Sequence, residues 1–452
     1  MTARRYGFAS WRQLHAYLDV VDRYARSPHR TDGAKATKAD EFLGLACLTY
    51  GVTEGQDDAG RPRRAGQMLA ADPTLASASI YTAAAAGNAE AVAGFLASAP
   101  ALANRDGGPY RWPPLLYLTY SRVDGPAEGP LRTARILLVR GADPNAGFLS
   151  DGEPPPYTAL AGAIGGGRDP VHQPRHHDGL RLARVLLAAG ADANDARALA
   201  NVGGNTDDDH QLELLFEFGL GRGGGGPWRS RLGPAQPSPI RLVQDQLLVA
   251  AHLGLAGRLA MLLRQCAALG VDIDAVGVGP GHGFMRGRTA SDLAALGGHA
   301  EAERLLVAAG ARASRLSTVE RFAAACLRAD RPVATQLLAD DPTLIDRCPD
   351  HLLPWRAAVQ DRPEAIRLLA DLGFDINANL HGTPLHVAAY AGNLAAVKAL
   401  VAAGADPGVP AGNFVKPGDP TASIEDPTAL GFARYRGHRE VADFLARLTP
   451  TA

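Results

Sequence analysis

The sequence predicts an all-α solenoid, a stack of about eleven short helix–turn–helix repeats joined by finger loops. Three observations predict it. A leucine-and-breaker phrase recurs through the 452-residue chain. The breakers Gly310, Pro342, Gly373 and Gly404 follow one another at spacings of 32, 31 and 31 residues. Composition agrees: the chain is 46% hydrophobic but only 6% aromatic, with 51 Gly and 32 Pro. That mix suits short, closely packed helices with frequent turns and argues against a large parallel sheet.

The phrase reads Leu-Leu-x-x-Gly-Ala-Asp in Leu137–Asp143 and Leu186–Asp192, with variants at Leu306–Arg312, Leu369–Asp375 and Leu400–Asp406. A sister form has Pro as the breaker, at Pro73, Pro100 and Pro342. The clearest repeat starts at Gly382. Thr383 is placed to N-cap a helix, and Pro384 occupies the first helical position, where its missing N–H costs nothing. Leu385, Ala388 and Ala389 form a narrow apolar face that lets neighbouring helices pack closely. Gly392 breaks that helix at an expected positive φ. Val397, Leu400 and Val401 give the second helix its apolar face, and Gly404 ends it.

Thr383-Pro-Leu-His-Val-Ala388 resembles the signature of the ankyrin repeat family, Thr-Pro-Leu-His-x-Ala at a period of about 33 residues. Looser forms stand at Thr289–Ala294 with Gly297-Gly-His299, at Thr428–Ala433 with Gly437-His438, and at Thr158–Ala161. Read this way, the repeats span residues 40–448. Their anchor leucines are Leu69, Leu96, Leu137, Leu186, Leu215, Leu306, Leu338, Leu369, Leu400 and Leu445, with a longer variant ending at Gly270–Asp274. Gly7-Phe-Ala-Ser-Trp11 resembles the leader helix of bacterial ankyrin proteins, where further helix precedes it; Met1–Tyr6 then reads as the tail of such a helix. Ser10 is its expected N-cap, with Gln13 in capping-box position.

Departures from the period place the loops. Gly51–Arg64, Val123–Pro130 and Gly165–Gly179 separate the two helices of a repeat, whereas Gly219–Pro239, Val276–Gly287 and Pro407–Pro427 fall between repeats. The expected organisation is an N-terminal capping helix and linker over 1–38, a first block of repeats over 39–218, a Gly/Pro/Arg-rich insertion over 219–239, and a second block over 240–452. The two blocks are expected to be continuous, because Leu242, Val243, Leu247 and Leu248 read as an interior helix.

Net charge is −1, which argues against general nucleic-acid or membrane-surface binding. The value hides a split. Residues 1–38 carry eight Lys or Arg and three Asp, a local +5 that leaves −6 elsewhere, and the 219–239 insertion has three Arg and no acid. Those two segments are the places to look for an acidic partner. Cys47, Cys266, Cys326 and Cys348 form no CxxC pair, so no disulfide framework or zinc ribbon is implied. No apolar run approaches membrane-spanning length, and a cytoplasmic location is expected.

Candidate chemistry is thin. His172, His176 and His177, with Asp169 and Asp178, are the weak candidates for a metal site, on a loop too rich in Gly and Pro to pre-organise ligands. The glycines of 277–287 lack the Lys of a phosphate loop, and no Gly-x-Ser-x-Gly occurs. His299, His386 and His438 sit at signature positions and are expected to be structural, and Asp207–Asp209 to cap the helix after them. No cofactor is expected. The functional expectation is a non-catalytic, monomeric scaffold that binds a protein or peptide through its concave face and fingers. Its alternative is a metal- or small-molecule-binding or enzymatic role on the 172–177 loop. Expected contact residues are Asp143, Asn145, Asp192, Asn194, Trp228, Phe284, Arg286, Asn377, Asn379, His381, Asp406 and Asn413; Met285 shares the finger tip with Phe284 and Arg286. Trp228, followed by Arg229 and Arg231, has the composition of an interface anchor; the alternative is that it packs back on its own repeats.

Overall fold

A computed structural model describes residues 8–30, 37–50, 60–166, 173–202, 208–278, 283, 285–348, 352–379, 382–411 and 424–448. The chain divides into two compact units, residues 1–246 with 266–271 and residues 247–265 with 272–452. It is mostly helical, as the repeat pattern requires. Among the described residues no helix is long and apolar enough to cross a membrane.

The first unit holds helices α1 (Trp11–Tyr24), α2 (Lys38–Ala46), α3 (Arg61–Ala71), α4 (Ile80–Ala85), α5 (Ala89–Ser98), α6 (Pro114–Tyr120) and α7 (Gly129–Val139). It continues with α8 (Ala159–Ile164), α9 (Gly179–Ala188), α10 (Ala196–Asn201), α11 (His210–Glu217) and α12 (Gly226–Leu232). Helices α2, α4, α6, α8 and α10 pack side by side in one layer, and α5, α7, α9 and α11 in a second. Helices α13 (Pro239–Leu253) and α14 (Ala256–Leu269) give residues to both units. The second unit adds α15 (Ala290–Leu296), α16 (Ala300–Ala308), α17 (Thr318–Leu327), α18 (Arg331–Asp340), α19 (Leu344–Arg347) and α20 (Leu352–Val359). It ends with α21 (Pro363–Asp371), α22 (Pro384–Ala391), α23 (Leu394–Ala402), α24 (Ala429–Arg436) and α25 (Arg439–Ala446). Here α15, α17, α20, α22 and α24 form one layer, backed by α21, α23 and α25.

Local chemistry sets the helix starts. Thr289, Ser317 and Thr383 open α15, α17 and α22 with capping boxes closed by Asp292, Glu320 and His386, satisfying N–H groups that a helix start leaves bare. Thr158 caps α8 by accepting the Ala161 N–H at 3.0 Å. Small residues fill the core of the second unit: Ala357, Ala358, Ala388, Ala389, Ala396 and Ala433 are all buried beside Leu369, Leu400 and Leu445. The first unit concentrates the few aromatics. Trp112, Tyr117 and Tyr120 are fully buried, with Trp112 stacked on Phe148 at 4.9 Å between ring centroids.

Two features depart from the sequence expectation. A three-stranded sheet, β1 (Ala25–Arg26), β2 (Gly147–Ser150) and β3 (Glu153–Thr158), joins the helices. Strands β2 and β3 are antiparallel, with Phe148 opposite Tyr157, and close through Asp151-Gly152 at φ 50° and 81°, the primed turn that suits hairpin twist. Strand β1, just after α1, runs parallel to β2. The second departure is the 219–239 insertion. Rather than a mobile finger, its middle forms α12, whose Trp228 and Leu232 pack with Leu149 against Tyr17, Val20, Val21 and Tyr24. The polar helix α1, N-capped by Ser10, thereby gains the apolar cover its inner stripe needs.

Candidate functional site

The finger residues form a hydrogen-bonded ladder. Each repeat leaves carbonyls unpaired where its second helix ends. Asn104 Nδ2 donates to Gly141 O at 2.6 Å, and its Oδ1 accepts the Asp143 N–H at 2.7 Å. One repeat on, Asn145 Nδ2 donates to Gly190 O and Oδ1 accepts from Asp192 N, both at 2.9 Å. Asn194 continues to Arg222 O at 3.1 Å and Gly221 N at 2.8 Å. In the second unit Asn377 does the same to Gly404 O at 3.3 Å and Asp406 N at 3.2 Å. The carboxylates of Asp143, Asp192, Asp375 and Asp406 each accept an N–H two residues on. Asn379 bonds Pro410 O and Gly382 N. Thus Asp143, Asn145, Asp192, Asn194, Asn377, Asn379 and Asp406, expected as partner contacts, are engaged within the stack.

Other expected contacts fall differently. Arg286 is exposed, while Met285, read as part of the same tip, is buried. Phe284, His381 and Asn413 lie outside the described residues. Trp228 requires a correction: it is only 7% exposed, and its indole N–H donates to Asn145 O at 2.9 Å. The apolar inner stripe of α1 buries it, so it anchors the chain to itself.

A second ladder uses the turn histidines. His438 Nε2 lies 3.1 Å from Tyr390 O, and His299 Nε2 lies 3.0 Å from His252 O. Each reaches the C-terminal end of the preceding repeat's first helix, where a carbonyl needs a donor. Asn393, at the corresponding turn position, donates to Ala358 O and Val359 O at 2.8 Å. His386 instead closes its own capping box and approaches Pro427 O at 3.1 Å. Burial, reinforced by the Arg362 guanidinium, pulls the His299 pKa down to about 3. Its Nδ1 accepts from Arg362 Nη2 at 2.7 Å.

The 172–177 loop is pinned by an arginine that the sequence reading passed over. Arg122, 8% exposed, donates to the carbonyls of Thr119, Ser121, Gly162, Gly165 and Pro174. His176 is buried beneath this network, and its Nδ1 accepts the Asp178 N–H at 3.0 Å. Burial, then the Arg122 charge, pulls its pKa down to about 2. His177 pairs with Asp178 at 3.1 Å, and His172 lies outside the described residues. Among the described residues no three His, Cys, Asp or Glu side chains converge to hold a metal. Asp209 is the N-cap residue of α11, and Asp208 accepts the His210 N–H at 3.3 Å; Asp207 is not described. All four cysteines are buried and none is joined in a disulfide, and burial pushes the thiols of Cys266 and Cys326 up to about 11 and about 12, so neither suits nucleophilic work.

A small open cleft lies beside Trp228, walled by Asp195, Thr158, Asn145, Arg229 and Gln236 among others. Asp195 caps α10 through the N–H groups of Arg197 and Ala198 at 2.9 Å and takes the Thr158 hydroxyl. Burial pushes its carboxyl up to about 6. The walls carry no His, Cys or Lys.

Residues 321–411 match the family model for ankyrin repeats, in 3 copies. This stretch is similar to a run of ankyrin repeats. No curated protein matches the chain. The matched residues cover the helix pairs α17/α18, α20/α21 and α22/α23. Three first helices in this stretch and the pair that follows, α20, α22 and α24, present rings, whereas Phe322 of α17 is buried. Trp355 of α20 is 37% exposed. Tyr390 of α22 and Tyr435 of α24 hold equivalent positions, two residues before a turn glycine, and stack 6.5 Å apart at 17°. The Arg436 guanidinium lies 4.7 Å from the Tyr390 ring centroid. Half-exposed rings beside a guanidinium suit a protein partner, where aromatic and Arg side chains dominate binding energy.

Proposed function

We propose that the chain is a non-catalytic protein-binding scaffold, an ankyrin solenoid of about eleven repeats that works as a cytoplasmic monomer on a protein or peptide partner. Ankyrin repeats generally mediate protein–protein interaction. The layered helix pairs of both units support extending the count beyond the three matched copies. The observation that carries the reading is the Tyr390–Tyr435 stack with Arg436, on successive first helices. The finger Asp and Asn side chains belong to the stacking ladder, which leaves recognition to these rings and to the exposed edges of the fingers. The test is an affinity pull-down with the full chain and with Trp355→Ala/Tyr390→Ala/Tyr435→Ala. Proteins held by the parent and lost by the variant support the reading; an identical set on both overturns it.

A further inference from the structure

The two basic segments that stand apart in the sequence, 1–38 and 219–239, meet in the first unit. Helix α1 from one packs on α12 from the other. At that junction Tyr24 carries two guanidiniums, Arg23 at 5.4 Å and Arg231 at 5.2 Å from its ring centroid. Arg231 is also 4.9 Å from the Trp228 ring, and Tyr24 meets Trp228 edge-on at 4.9 Å. The Trp228–Leu232–Leu149 cluster fixes this aromatic platform from below. Neither guanidinium has a carboxylate within ion-pair distance among the described residues, although Asp19 lies one turn before Arg23 and Asp22 adjoins it. Glu153, on the hairpin, faces Tyr17 instead. Three other surface arginines of this unit are by contrast ion-paired: Arg132 with Glu90, Arg181 with Glu128 and Arg184 with Glu217.

We propose that Arg23 and Arg231, held on the Tyr24–Trp228 platform, form a docking point for an acidic peptide segment of the protein partner. This rests on the scaffold reading and names the chemistry of what is held. Both guanidiniums lie within 5.4 Å of the same ring centroid, so an acidic segment laid along Tyr24 meets both charges. Stacking on the aromatic face holds each planar guanidinium in place, so less side-chain freedom is lost when a carboxylate is taken bidentately. Cation–π contact fixes the guanidiniums without neutralising them, which an ion pair would do.

The probe is a fluorescent oligoglutamate peptide, with an oligoglutamine peptide of equal length as the neutral control, read by anisotropy on the full chain. At physiological ionic strength, where screening acts over about 8 Å, the acidic peptide binds and the neutral one does not. Exposed charge pairs are individually weak, so Arg23→Gln and Arg231→Gln each weaken binding about threefold and the pair together about tenfold. Arg135→Gln, an exposed arginine of α7 that removes the same charge, leaves binding unchanged. Tyr24→Leu keeps both charges yet weakens binding, because the platform is gone; a thermal melt and near-UV circular dichroism confirm that it folds. Equal binding by the double variant, or equal losses from Arg135→Gln, overturns the proposal. So does an RNA oligomer that competes as well as oligoglutamate does, since it would make the site a general polyanion surface. The scaffold reading fails separately: partners lost with the Trp355, Tyr390 and Tyr435 variant but kept by the arginine double variant sink this proposal alone.

Discussion

Gly392 and Gly437 are a matched pair that separates backbone strain from inter-repeat contact. Both end a first helix in left-handed geometry, at φ 80° and 77°. A Cβ at Gly437 would meet nothing within 4 Å, whereas one at Gly392 would come within 2.6 Å of His438 Nδ1 and 2.7 Å of Cε1. Gly437→Ala therefore costs only the strain of a non-glycine residue at positive φ, about 1–2 kcal/mol, part of it offset by a less disordered unfolded chain. Gly392→Ala carries that strain and also drives the His438 ring off Tyr390 O, which it meets at 3.1 Å. Leaving that helix-end carbonyl unpaired adds about 1–3 kcal/mol. Gly392→Ala should thus destabilise by about 2–4 kcal/mol, and Gly392→Val by more, since β-branching makes positive φ worse. Urea unfolding followed by far-UV circular dichroism gives the totals. Hydrogen exchange over 384–391 and 429–436 localises them, because repeats can open individually. The decisive measurement is the cycle with His438→Ala, in which Gly392→Ala should fall to about the Gly437→Ala cost. If the two alanine variants cost the same, or the cycle shows no coupling, the histidine ladder does not carry the stacking attributed to it.

Three further outcomes are expected. Trp228→Ala should cost about 3–5 kcal/mol locally and strip hydrogen-exchange protection from α1, whose inner stripe packs on that ring; unchanged protection in α1 would refute the fused arrangement. Asp195, with its carboxyl raised to about 6 by burial, binds its proton more tightly folded than unfolded, so its contribution is complete below about pH 4 and is lost as pH rises through 6. The stability difference between the parent and Asp195→Asn should therefore fall by roughly 2–3 kcal/mol from pH 4 to 6 and then level off; a flat difference in urea melts refutes it. His299 has the opposite sign. Its folded pKa of about 3 lies below the ordinary histidine value, so its contribution is full above about pH 6.5 and is lost toward pH 3 at roughly 1.4 kcal/mol per pH unit. His299→Gln should flatten that acid slope, and an unchanged slope would place the acid sensitivity elsewhere.

The helix pairs were legible because their signals are local. Thr383, Pro384, Gly392 and Gly404 each act on the backbone within a turn of themselves, and the structure uses them at those positions. The β2–β3 hairpin also has a local signal, Asp151-Gly152 beside Phe148 and Tyr157, but it lies inside a stretch whose period is that of helical repeats. Helix α12 had none. Its Gly223–Gly226 run and flanking prolines oppose a helix by propensity, and only the burial of Trp228 against α1, some two hundred residues earlier, makes one worthwhile. Arg122 is opaque for the same reason: its guanidinium serves carbonyls contributed by two other segments.

The finger residues make the same point with the sign reversed. Their positions were legible, but what they bond was not, because each partner lies on the neighbouring repeat: Asn145 reaches residues 45 and 47 positions away. This matters for where recognition can reside. An Asn that both donates to a helix-end carbonyl and accepts the next repeat's N–H cannot be exchanged freely, since either loss strands a backbone group at about 1–3 kcal/mol. Such a position is poorly placed to carry specificity, because every change made for a partner is charged to the stack. The rings of Trp355, Tyr390 and Tyr435 and the guanidiniums of Arg23 and Arg231 are under no such double constraint, since none of them closes a ladder rung. On energetic grounds, then, a partner is better read by those side chains than by the Asp and Asn row that marks the fingers in the sequence.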